Sequence, residues 1–173
     1  LISLDSKSIE IYRNQSKSIA INRNLSQSID INRTMDLYAQ NILDRYKTPF
    51  HKDKSARGDI MGGEVNHSCG DNITVKIELR PSTSSGSKIE VQNYSFSGEG
   101  CAISQAAADI LGDLIIGKTL DDVLKMTKDE LFEALGIEIS LRRTKCALLS
   151  LSAVKNAILK YKGEEPSVSP TNL

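Results

Sequence analysis

The chain has 173 residues, 39% of them hydrophobic and 25% charged, which suits one small globular domain with a real core. Lysine plus arginine equals aspartate plus glutamate at 22 each, so no net charge draws the chain towards nucleic acid or an anionic membrane. No apolar run reaches the ~20 residues of a membrane span, and neither nucleic acid nor a membrane is expected as a partner.

In chain order, the first third is a repeat. SIEIYRNQSK (8–17), SIAINRNLSQ (18–27) and SIDINRT (28–34) share a period of ten residues, with alternating isoleucines and an arginine at 13, 23 and 33. Fewer than three full units cannot bury a core alone. Residues 1–34 are therefore expected to be disordered or to lie upstream of a natural start at Met35. From Asp36 the patterning is globular. Tyr38, Ile42 and Tyr46 mark one helix face, and Pro49 ends that helix. Residues 50–63 read as a loop, with Glu64 and Val65 in a short strand. Ile73, Val75, Ile77 and Leu79 alternate with polar residues as a half-buried strand. PSTSSGS (81–87) is a turn. Ile89 and Val91, then Tyr94 and Phe96, predict a return strand with a register break near Gln92 and Asn93.

After GEGC (98–101) the period becomes helical, through Ile103, Ala106, Ala107, Ile110, Leu111, Leu114 and Ile115, and Gly117 closes it. Thr119 with Asp122, and Thr127 with Glu130, read as N-cap pairs of two short helices. A last helix is expected from Thr144 or Lys145, with Cys146, Leu149, Ala153, Ala157, Ile158 and Tyr161 on its buried side. The predicted class is α+β: a small antiparallel three-stranded sheet packed against about four to five helices. The predicted domain covers 35–162, and the tail 163–173 is expected to be disordered.

The three cysteines carry the chemical interest. An odd count is no disulfide framework. No basic-then-apolar leader is seen. A reducing, cytoplasmic setting is therefore expected, where thiols are inert and buried, or metal ligands, or nucleophiles. Cys69 sits at a strand entrance, Cys101 between a strand and a helix, and Cys146 at an expected helix start. Arg142, Arg143 and Lys145 crowd Cys146 and should favour thiolate. No C-x-x-C pair is present, so this is not a zinc-finger spacing. Asp71 offers an oxygen ligand two residues from Cys69, with Gly70 permitting the turn; a cap or turn role is the alternative. His67 and His51 read as loop side chains. A Cys–His pair lacks an orienting partner.

Together these motifs resemble the U-type iron–sulfur cluster assembly scaffolds, the family of IscU, SufU and the N-terminal domain of NifU. The match runs from about Tyr38 to Tyr161: ILDRYKTPFHK (42–52), CGD (69–71), FSGEGCAISQAAAD (96–109), GKTLDDVLKM (117–126) and TKCALLSLSAVKNAI (144–158). The resemblance implies that Cys69, Asp71, Cys101 and Cys146 hold a nascent [2Fe–2S] cluster, or Zn2+ in its place. It implies sulfur from a pyridoxal-phosphate (PLP)-dependent cysteine desulfurase, with Cys146 or Cys101 as persulfide acceptor. It further implies an iron donor and apo iron–sulfur acceptor proteins. A scaffold of this kind is a carrier rather than an enzyme; the alternative is a zinc-dependent sulfurtransferase that stimulates the desulfurase, as in SufU. Three departures bear on this choice. Lys145 stands where IscU proteins have histidine, and is assigned a tuning role. ISLRR (139–143) replaces the LPPVK read by a chaperone, and the 27 residues of 119–145 look too few for the SufU insertion.

Overall fold

The computed structural model describes residues 37–53, 57–81 and 88–173. The repeats of 1–34, the expected start at Met35 and the turn at 82–87 lie outside the described residues. Among the described residues, helix α1 (37–47) is followed by strands β1 (Ile60–Asn66), β2 (Asp71–Pro81) and β3 (Ile89–Glu99). Helices α2 (Ala102–Ile115), α3 (Leu120–Lys125), α4 (Lys128–Leu135) and α5 (Leu141–Tyr161) come after them. The class is α+β, with one antiparallel sheet in the order β1-β2-β3.

The alternation in β2 turns Ile73, Val75 and Ile77 to a face covered by α2 and α5. The break foreseen in β3 is real. Pairing steps from Glu78 opposite Asn93 to Leu79 opposite Val91, which leaves Gln92 over as the extra residue of a bulge. That extra residue lets Val91, Tyr94 and Phe96 all be buried. The outer edge of β3 is covered. Asp53 N donates to Phe96 O at 3.1 Å, and Phe96 N donates to His51 O at 2.9 Å. Nearer the strand start, Val91 N donates to Lys118 O at 2.9 Å and Val91 O accepts from Gly117 N at 2.8 Å. Covering an edge in this way removes a template for unwanted pairing.

β1 begins at Ile60, four residues before the expected Glu64. Gly62 and Gly63 look like loop residues, yet Gly62 is where β1 approaches α5. A Cβ there would lie 2.6 Å from the Cβ of Ala157. α5 is buried along most of its length because the sheet, α2, α3 and α4 all pack on it. It starts at Leu141 rather than at Thr144, since the carbonyl of Ser140 accepts from Arg143 N at 2.8 Å and Thr144 N at 3.1 Å. Tyr161 at its end is half exposed. The two short helices are capped as expected, Thr127 and Glu130 forming a reciprocal capping box.

On α1 only Ile42 of the three expected face residues is buried. Arg45 instead ties this region to α2. Its guanidinium reaches Asp109 at 2.8 Å and Asp113 at 2.6 Å, while His51 N donates to Asp109 at 2.7 Å. The tail also departs from expectation. Its polar composition suggests disorder, but Asn156 grips the backbone of Val168 from both sides, Nδ2 to O at 2.7 Å and N to Oδ1 at 3.0 Å. Ser152 adds a third bond at 3.0 Å, and Leu173 packs against the core.

Candidate metal centre

The site is built where three elements end. β1 and β2 are joined by the four residues 67–70, because Asn66 pairs with Asp71. Asn66 shapes that tip: its Oδ1 accepts from Ser68 N at 3.1 Å and its carbonyl accepts from Gly70 N at 2.9 Å. Gly70 takes φ +76°, a region that a side chain disfavours, and so turns the chain between Cys69 and Asp71. Cys101 is the N-cap of α2. Cys146 lies in the second turn of α5, not at its start.

Cys69 Sγ and Cys146 Sγ stand 3.3 Å apart, and Asn66 Nδ2 lies 3.5 Å from Cys146 Sγ. The ligand atoms of Cys69, Asp71 and Cys146 all fall within 4.8 Å of one another. Asp71 is 3% exposed. Its Oδ1 accepts from Cys101 N at 3.2 Å, and its Oδ2 has no hydrogen-bond partner among the described residues. A buried carboxylate oxygen without a partner is costly unless something binds it. Gly100 permits this placement: a Cβ there would sit 2.9 Å from Asp71 Cγ.

Cys101 is brought to the site but stands outside that tight trio. It is half buried, Cys69 is exposed and Cys146 is buried. An open hollow of about 630 Å³ lies over the three-element junction, walled by Tyr46, Lys52, Asp71, Cys101, Gln105 and Arg143 among others. Of the basic residues expected around Cys146, Arg143 faces this hollow, and its closeness to Cys101 and Cys146 holds its guanidinium higher than usual. Lys145 is exposed and lines a separate hollow with His67 and Ser68. The expected thiolate at Cys146 is also corrected. Burial above all, then Cys69, Cys101 and Asp71, push its thiol well up.

The donors fit a thiophilic metal. Tetrahedral zinc with Zn–S of about 2.3 Å needs sulfurs about 3.8 Å apart, close to the observed separation. The unpartnered Asp71 oxygen would supply a third ligand, and Cys101 at the mouth is the remaining thiol. Loading would displace the Cys146 proton, as metals do at thiols. Sequence reasoning missed Asn66, Lys52 and Gln105. Lys52 ends the stretch ILDRYKTPFHK and Gln105 lies within FSGEGCAISQAAAD, but nothing local assigns either a role, and only the fold brings all three here.

Comparison with known proteins places the chain in a family. The family model for the NifU-like N terminal domain matches residues 37–167. The iron–sulfur cluster assembly scaffold protein IscU 1 of Archaeoglobus fulgidus is 27% identical over 72% of this chain and 76% of its own. The zinc-dependent sulfurtransferase SufU of Bacillus subtilis is 32% identical over 73% of this chain and 92% of its own. A crystal structure from Fervidobacterium islandicum, described as a scaffold for the SUF system, superposes with a TM-score of 0.55 at 25% identity, covering 68% of this chain and 93% of that one. Fold, cysteine placement and sequence together identify this chain as a member of the NifU-like N-terminal domain family, the U-type iron–sulfur cluster scaffolds.

Proposed function

We propose that this chain is the platform on which iron and desulfurase-derived sulfur are joined into a [2Fe–2S] cluster, which then passes to apo-acceptor proteins. The supporting observation is the mixed donor set at an open end of the fold. Two thiols 3.3 Å apart share it with a buried carboxylate that has one uncommitted oxygen. Thiolates bind iron and also carry sulfur. A carboxylate is a harder ligand for iron–sulfur chemistry, so Asp71 closes the site without locking it, as suits a cargo that must leave. Cys101, at the mouth of the hollow, completes the set.

The partners in this reading are a PLP-dependent cysteine desulfurase, an iron donor and the acceptors. Sulfur arrives as a persulfide, formally at oxidation state zero. Its conversion to sulfide takes two electrons per sulfur from an external thiol or electron carrier. Cys101 and Cys146 are the candidate acceptors, and access favours Cys101, since Cys146 is buried. Lys145 tunes the site through its charge and not as a ligand.

A second reading is favoured by the 32% identity to a zinc-dependent sulfurtransferase and by the lysine directly before Cys146. There the same donors hold Zn2+, and the chain accepts sulfur and accelerates the desulfurase. Anaerobic incubation of the full chain with ferrous iron, cysteine and a desulfurase separates the two. A visible cluster spectrum followed by activation of an apo-ferredoxin is expected. Retained zinc, no cluster and a faster desulfurase would replace the scaffold with the sulfur acceptor.

A further inference from the structure

Cys101 is placed unlike the other two thiols. It caps α2, a helix of 14 residues with no acidic side chain in its first turn and no side-chain cap bond. The positive end of the helix meets this sulfur, and the buried carboxylate beside it, Asp71, commits its Oδ1 to Cys101 N at 3.2 Å. A helix terminus by itself is not a site, but three more donors converge here. Lys52 and Arg143 wall the same hollow as Cys101. Lys52 Nζ spends one of its three donors on Gln105 Oε1 at 2.7 Å. Gln105 is 1% exposed, and its Nε2 has no partner among the described residues. Lysine can only donate, so the amide must turn its oxygen to Lys52 and keep its N–H groups free. Glu99 at the rim is exposed, where water screens its charge. Neither Lys52 nor Gln105 is needed to ligate a metal by the trio of Cys69, Asp71 and Cys146.

Resting on the sulfur-receiving role common to both readings above, the geometry points to an anion subsite between Lys52, Gln105 and Arg143 that holds the terminal sulfur of a persulfide on Cys101. The Cys101 thiolate attacks the outer sulfur of a donor persulfide, R–S–SH. The donor S–S bond breaks and the Cys101 S–S bond forms. The proton of the outer sulfur passes to the departing thiolate, which leaves as R–SH. The product is Cys101–S–S⁻, and the exchange is redox neutral. Its negative sulfur is what Lys52 stabilises, by a charge-assisted hydrogen bond.

The test uses the full chain with its three cysteines, treated with a desulfurase and cysteine and, separately, with cysteine persulfide. Peptide mass mapping after alkylation reads which thiol gains one sulfur and how fast. Cys101 is expected to gain it first. Lys52→Met should slow this about tenfold with either donor, and Lys52→Arg should restore most of the rate. Reaction of Cys101 with a neutral disulfide, bis(2-hydroxyethyl) disulfide, should change less than about twofold in Lys52→Met. An equal loss with the neutral disulfide, or no loss with the persulfide, overturns the subsite. Sulfur found only on Cys69 or Cys146, with cluster assembly intact, removes the subsite and leaves the scaffold. No sulfur at any cysteine from the desulfurase overturns both.

Discussion

Two buried carboxylates on neighbouring parts of this fold are treated in opposite ways. Asp109, fully buried on α2, has both oxygens committed: Oδ2 to Arg45 at 2.8 Å and Oδ1 to His51 N at 2.7 Å. Asp71, 3% exposed at the start of β2, commits Oδ1 to Cys101 N and leaves Oδ2 without a partner among the described residues. The first is a clamp that ties α1 and the segment after it to α2. The second carries an unmet demand at the place where thiols gather. A structural carboxylate closes its own hydrogen bonds; a ligand keeps an oxygen in reserve.

The largest expected effect tests the clamp. Asp109→Ala should lower the unfolding free energy by about 2–4 kcal/mol, because it strands the His51 N–H and removes one of the two carboxylates holding Arg45. Urea denaturation measures it, and a loss below about 1 kcal/mol would make the clamp incidental. Next comes the metal trio. Cys146→Ser should weaken zinc binding at least about 100-fold, read by competition with a chromophoric chelator. Unchanged affinity would place the metal elsewhere.

Asp71→Ala then sharpens the contrast directly. Without metal it should cost less than about 2 kcal/mol, since the Cys101 N bond lost with Oδ1 is partly offset by removing the unsatisfied Oδ2. With cluster loaded, the visible spectrum should persist longer than in the unmodified chain. A destabilisation matching that of Asp109→Ala would mean that Asp71 is structural after all. The smallest effect is on pH. Burial works against ionised Asp113, but hydrogen bonds from His51 and Arg45 hold its carboxyl below the usual 3.8. With the folded value depressed, its stabilising contribution is present above about pH 4 and is lost as pH falls through the lower folded value. The group is largely solvated, so the loss should be only a few tenths of a kcal/mol, absent in Asp113→Asn.

Much of this was legible because local patterns and final structure agree. The alternation of Ile73 to Leu79, the stripe from Ala106 to Ile115 and the threonine caps at 119 and 127 are short-range signals, and β2, α2, α3 and α4 follow them. The bulge at Gln92 was readable because a buried strand that breaks its period must shift register. The misreadings share a cause. Gly62 and Gly63 looked like a loop, yet Gly62 is small because α5 needs the room. The polar tail looked disordered, yet Asn156 and Ser152 supply its backbone bonds from sixteen residues or fewer away. Those reasons lie in another element, where no window of sequence can see them.

The sequence alone determined the class of the fold and named the candidate ligands. Periodicity is local, three thiols are few enough to be counted, and the resemblance singled out Asp71 among 22 acidic residues. Only the tertiary structure decided how they divide. It put Cys146 in the second turn of α5 and behind Cys69, kept Cys101 at an open mouth, and turned Lys145 to another hollow. It also brought Lys52 to Cys101 from 49 positions earlier in the chain. Burial, access and the charge around a sulfur are properties of packing between distant elements. The identity of a residue sets what its sulfur can do; its neighbours in space set which sulfur does it.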